Sequence, residues 1–153
     1  MASAGETYGC YSTVKSSIDA EFEGFEPDRI YVLRNGQLWQ QTSYEYEYRY
    51  SYAPRVTIFQ SSGLCVMAVE GVTRTVYVVQ VEAIQSRING QFNGLDYGRT
   101  YTLQNGQVWQ QKELYIWYYY GYASAVIIYR SYVGSWMMKV KGISHAVRVE
   151  RIR

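Results

Sequence analysis

The residues that could do chemistry in this 153-residue chain are few. His145 is the only histidine, and Cys10 and Cys65 are the only cysteines. A histidine-ligated zinc cluster is therefore excluded, and a two-cysteine, one-histidine site would need an improbable convergence. A Ser-His-Asp arrangement can draw only on His145, with no nucleophile-elbow sequence to accompany it. No glycine loop of the phosphate-cradling kind is present. Glu45 and Glu47 alternate along one stretch and read as solubilising charges. The expectation is a protein without catalysis, metal or cofactor.

Recognition has better candidates. Trp39 stands between Gln37 and Gln41, and Trp109 between Gln107 and Gln111. An indole flanked by amides offers a stacking plane with hydrogen-bonding neighbours. The competing reading is that each tryptophan plugs a barrel end or packs beneath the adjacent strand.

These two sites belong to one repeated unit. Asn35-Gly36-Gln37-Leu38-Trp39-Gln40-Gln41 returns 70 residues later as Asn105-Gly106-Gln107-Val108-Trp109-Gln110-Gln111, and almost everything around it returns too. Residues 1–12 read as a flexible leader, 13–81 as a first repeat and 82–153 as a second. Each repeat alone would bury a marginal core, so the two are expected to pack rigidly together. No linker is visible at residues 81–84. In the second repeat an arginine or threonine of the first is replaced by His145, which fits an ordinary surface histidine.

The unit reads as all-β. Eighteen tyrosines and four tryptophans favour strands, while helix formers are scarce. Ile18 and Phe22 keep register with Ile88 and Phe92, and Gly24 and Gly94 mark a turn or a tight backbone approach. Asn35-Gly36 signals a hairpin. A two-residue loop would set Leu33 opposite Leu38, Val32 opposite Trp39 and Tyr31 opposite Gln40. That register puts Tyr31, Leu33 and Leu38 in the core and turns Trp39 and Trp109 to the other side.

Residues 44–52 alternate strictly, with five tyrosines on one face and Glu45, Glu47, Arg49 and Ser51 on the other. The tyrosine face is expected to be core or inter-sheet packing. In the second repeat the opposite face becomes Tyr115, Trp117, Tyr119 and Gly121. Tyr115, Trp117, Tyr119 and Ile127, with Tyr77 and Val79 of the first repeat, form apolar patches where the sibling repeat is polar. These six are expected to lie at an interface, within the chain or across a dimer. Strand count and order suit two tandem small SH3-like barrels.

Charge divides unevenly. Residues 13–81 hold six Lys/Arg against eight Asp/Glu, and residues 82–153 hold nine against four. A dipolar, soluble molecule is one reading. Nucleic-acid binding by the basic second repeat is another, and it would need Arg130, Lys139, Lys141, Arg148, Arg151 and Arg153 on one face with exposed rings. Cys10 lies in the leader and Cys65 in an apolar strand, so no structural disulfide is expected. The implied compartment is the cytoplasm. No apolar run approaches the ~20 residues of a membrane span.

The signature Ile-x-x-x-Phe-x-Gly, Tyr-x-Leu-x-Asn-Gly-Gln-x-Trp-x-Gln, an alternating tyrosine strand and Met-x-Val-x-Gly resembles a family of small bacterial proteins, some encoded on mobile elements. The resemblance covers about residues 16–81 and 86–153, and it implies no catalytic residues. The expected role is a binding or interaction module that uses aromatic surface, with a protein, peptide or self-association partner. A structural, oligomer-forming protein with the aromatic strand as interface is the alternative.

Overall fold

The computed structural model describes Cys10 and residues 12–153. The chain is all-β and forms two compact units, one ending at Val81 and the other spanning Glu82–Arg153. The first contains β1 (Val14–Ser17), β2 (Glu21–Phe25), β3 (Ile30–Val32), β4 (Leu38–Gln41), β5 (Glu47–Tyr52), β6 (Arg55–Ser61), β7 (Leu64–Val69) and β8 (Val76–Gln80). The second contains β9 (Ala83–Arg87), β10 (Gln91–Phe92), β11 (Thr100–Thr102), β12 (Val108–Gln111), β13 (Gly121–Tyr122), β14 (Ala125–Arg130), β15 (Trp136–Val140) and β16 (Val147–Arg151). No helical turn interrupts the strands among the described residues.

Each unit has one curled six-stranded sheet and one two-stranded flap. In the first, the sheet order is β1-β6-β7-β8-β4-β3, and β2 pairs with β5. The edges of the sheet meet at the Ile18–Leu33 bridge, where Asp19 N–H donates to the Val32 carbonyl and Arg34 N–H to that of Ser17. The second unit repeats the plan as β9-β14-β15-β16-β12-β11, with an Ile88–Leu103 bridge and a β10–β13 flap. The run that carries Ile18 and Phe22 is broken at Ala20, whose φ of 79° turns the chain out of β1 and into the flap. Gly90 makes the same break in the second unit.

The hairpin register differs from the expected one. Tyr31 pairs with Trp39 and Val32 with Leu38, one residue away from a two-residue loop. Gly36 N–H donates to the Leu33 carbonyl, Leu33 N–H donates to that of Gln37, and Gly36 has φ +90°. This is a three-residue loop closed by a glycine bulge. The Asn35 side chain accepts from the Gln37 N–H and fixes the turn. A one-residue slip exchanges the two faces of a strand, so Trp39 joins Tyr31 and Leu33 inside. Asn105, Gly106 and Trp109 repeat the arrangement.

The first core gathers Ile18, Phe22, Phe25, Tyr31, Leu33, Trp39, Val56, Ile58, Met67 and Val78, and the second gathers their counterparts. The first core also contains Cys10, disulfide-bonded to Cys65 with Cα atoms 5.6 Å apart. The expectation of free thiols is thus overturned, and with it the ground for assigning a reducing compartment. The chain doubles back so that Cys10 is buried beside β7, whatever its distance along the sequence. At the position of Cys65 the second unit has Trp136, whose ring packs 5.5 Å from Trp109. One repeat fills this part of its core with a bridge to Cys10, and the other with an indole. Apart from Cys10 and Ser12, the leader expected over residues 1–12 lies outside the described residues.

Candidate functional site

The repeated glutamines are structural. Gln41 and Gln111 have no exposed surface. The Tyr31 hydroxyl donates to Gln41 Oε1 at 2.6 Å, and the Glu26 N–H reaches the same oxygen at 3.2 Å. Gln41 Nε2 donates to the carbonyls of Ser43 and Glu45 at 3.1 and 2.8 Å. In the second unit, Tyr101 donates to Gln111 Oε1 at 2.7 Å, and Gln111 Nε2 to the carbonyls of Glu113 and Tyr115. Every polar atom of the buried amide is engaged, as a buried polar group requires. Desolvation pushes the Tyr31 hydroxyl well above the ordinary tyrosine range, with the Glu26 N–H pulling the other way. Burial raises Tyr101 likewise.

Gln37 and Gln107 accept from the Trp39 and Trp109 indole N–H groups at 3.1 Å. Both tryptophans are 2% exposed. As stacking planes for a ligand they are therefore corrected to core residues, because the hairpin slip turns them inward.

The strand that the glutamines launch is reversed from its expected orientation. Tyr44, Tyr46, Tyr48, Tyr50 and Tyr52 are 54–89% exposed, whereas Glu45, Glu47 and Ser51 face inward and are partly buried. By holding the Glu45 carbonyl from below, Gln41 helps set which face looks out. Leu114, Ile116, Tyr118, Tyr120 and Tyr122 are 59–90% exposed in the second unit. Each repeat thus carries a ladder of five large apolar or aromatic side chains in solvent. Beside the first ladder β2 turns out Glu21 and Glu23, and beside the second stand Gln91 and Asn93.

The flap meets its partner strand very closely. Gly24 has φ +103°, and a Cβ there would lie 1.9 Å from the Glu47 carbonyl oxygen. Gly94 has φ +98°, and its Cβ would lie 2.2 Å from that of Trp117. The guanidinium groups of Arg29 and Arg99 donate to the Gly24 and Gly94 carbonyls.

The expected interface residues divide. Tyr115 and Tyr119 pack against the core of their own repeat, beneath the flap. Both remain partly buried there. Trp117 stays about half exposed and stacks at 6.3 Å on Tyr115. Ile127 is half-buried on β14, Val79 is buried and Tyr77 is exposed. Among the basic residues, Lys139 Nζ donates to the Ile143 carbonyl and Arg148 to that of Lys112, so both are engaged inside their repeat.

His145 forms a cluster that the sequence did not announce. Its Nε2 lies 2.7 Å from Glu113 Oε2, its ring stacks at 4.1 Å on Tyr115, and Glu113 Oε1 accepts from the Arg148 N–H. Cys65 is bridged within the other repeat, so it offers no thiol to this pair. Among the described residues no three His, Cys, Asp or Glu side chains converge as a metal site.

Fold and surface define a tandem-repeat β-protein with a solvent-facing aromatic ladder on each repeat. No family model, curated protein or solved structure matches the chain. The likeness of its signature to small bacterial proteins therefore rests on the motif alone.

Proposed function

We propose that this protein is a non-catalytic binding module that recognises a protein or peptide partner through its two aromatic ladders. The observation that carries the reading is the exposure of ten large apolar or aromatic side chains at alternate positions, five per repeat. Contiguous exposed apolar surface on a soluble protein marks an interaction site, and tyrosine supplies contact area together with a hydroxyl for hydrogen bonding. Sheet order and the closing bridges support two SH3-like barrels, and the two residues between β8 and β9 support their rigid union.

The test is selection of a short random-peptide library on the wild type. Selected peptides are then measured against Tyr46→Ser/Tyr48→Ser/Tyr50→Ser and against Tyr118→Ser/Tyr120→Ser/Tyr122→Ser. Loss of binding in either triple variant is expected, with stability changed by about 0.5 kcal/mol or less per exposed site. Peptides that bind wild type and both variants alike would overturn the reading. The oligomer-forming alternative is favoured by the edge of β5 that faces away from β2, an open template for another strand. Light scattering decides it: a dimer that both triple variants leave intact would remove the ladders from that interface.

A further inference from the structure

Independently of the ladders, the first repeat has a cavity on the other side of the ladder strand. It measures about 270 Å³, and its lining includes Glu45, Phe59, Ser61, Thr75 and Tyr77. Phe59, Val66 and Tyr77 form one cross-strand row over β6, β7 and β8, which makes its floor. Residues 42–45 are tied to that row, since Thr42 N–H donates to the Tyr77 carbonyl and Tyr77 N–H to Ser43 Oγ. Glu45 Oε1 is shut off from solvent and accepts no hydrogen bond. The neighbouring cation, Arg74, is paired instead with Glu47 at 3.6 Å. A carboxylate oxygen left this way costs stability until a donor reaches it.

The second repeat shows what kind of group belongs there. Its equivalent row is Tyr129, Met137 and Arg148, so a guanidinium stands where the first repeat has Tyr77. That guanidinium donates to the Lys112 carbonyl at 2.6 Å. Glu45 is replaced by Tyr115, stacked on His145. The second repeat carries its own cation, with its carboxylate moved to Glu113 on the Arg148 N–H, while the first keeps Glu45 and a cavity.

We propose that the first repeat's cavity binds an organic cation, an alkylguanidinium or alkylammonium, with Glu45 as counter-ion. The Phe59 and Tyr77 rings contribute cation–π attraction, and the Ser61 and Thr75 hydroxyls accept remaining N–H groups. The volume suits one such side-chain-sized group rather than a drug-sized molecule.

The experiment is an amide chemical-shift titration of the full chain with n-butylguanidinium chloride, with n-butanol as the uncharged control. Saturable shifts are expected at Ser61, Thr75 and Tyr77, but not with butanol. Glu45→Gln should weaken binding about ten-fold or more, the usual cost of losing one charged hydrogen-bond partner. Tyr77→Arg, which imports the second repeat's residue, should abolish it. The tripeptide Ac-Gly-Arg-Gly-amide separates sources: equal binding identifies a polypeptide side chain, and binding by the free cation alone identifies a small molecule. Either result sustains the site. Equal shifts with butanol, undiminished binding by Glu45→Gln, shifts confined to Tyr48–Tyr52, or no shifts at all would each overturn it.

Discussion

The two ladder strands show one outward surface attached in two ways. In the first repeat, β5 pairs with β2 from Glu47 to Tyr52, with one irregularity between Phe22 and Gly24. In the second, pairing survives only at Leu95–Trp117 and along Gln91–Phe92 with Gly121–Tyr122. The difference lies beneath the strand. Glu47 and Ser51 are slim and polar, and Arg49 reaches aside to lie over Gly71. The backbones can therefore close into a ladder of hydrogen bonds. Tyr115 and Tyr119 instead place rings between strand and core, and Tyr119 reaches Gly142, the counterpart of Gly71. Ring packing takes over from main-chain pairing, and the exposed residues above are undisturbed.

The sharpest way to break this equivalence is at the point both repeats share. Gly24→Ala and Gly94→Ala each require φ near +100° and drive a Cβ into a carbonyl oxygen. Each should cost roughly 4–5 kcal/mol or prevent folding of its own repeat. Gly36→Ala, with a positive φ but open space around it, should cost only about 1 kcal/mol. Chemical denaturation of the three variants checks the ordering.

Reduction should separate the repeats. The Cys10–Cys65 bridge closes a loop with a sequence separation of 55 residues. On the chain-entropy view, that contributes about 4 kcal/mol. Adding reductant, or substituting Cys10→Ala with Cys65→Ala, should lower the stability of the first repeat alone. Hydrogen exchange resolved by repeat would show it, and an equal fall in both would refute it.

A smaller effect is expected from the buried amides. Gln41→Leu and Gln111→Leu strand the Tyr31 or Tyr101 hydroxyl and free the root of the flap. A loss of about 2–3 kcal/mol is expected for each. Ladder tyrosines in the same repeat should show altered fluorescence, whereas a purely local defect would leave them unchanged.

The mildest test is common to both repeats. Tyr31 and Tyr101 have folded-state pKa values raised by burial above the ordinary value of about 10. Their contribution to stability is complete below that pH and is lost as pH rises through the folded values. Denaturation midpoints should therefore fall progressively above pH 10. Tyr31→Phe and Tyr101→Phe should flatten the dependence.

Much of this fold was legible in the residues. The 70-residue recurrence marked both units, alternation at residues 44–52 marked β5 but not its counterpart, where only Gly121–Tyr122 forms a strand, and Gly24 and Gly94 announced the close approach. Two ambiguities of physics hid the site. Asn-Gly serves a two-residue turn and a bulged three-residue loop alike, and the choice between them sends Trp39 inward or outward. Strict alternation at residues 44–52 defines two faces without saying which is covered. Burial of the more apolar face was the natural inference, but Gln41 anchors the carbonyl of Glu45 and the tyrosines look out. Cys10 offered no signal at all, because its contact with Cys65 depends on a long loop closing.

Gln41 and Gln111 anchor the root of each flap through main-chain carbonyls rather than through the outward side chains. Their identities differ, as Tyr44 and Tyr46 against Leu114 and Ile116 show, while the amide anchor beneath them stays the same. The chain is in this respect a duplicated display scaffold. One ladder can be randomised to search for new specificities while the other, on the same molecule, serves as an unaltered internal reference.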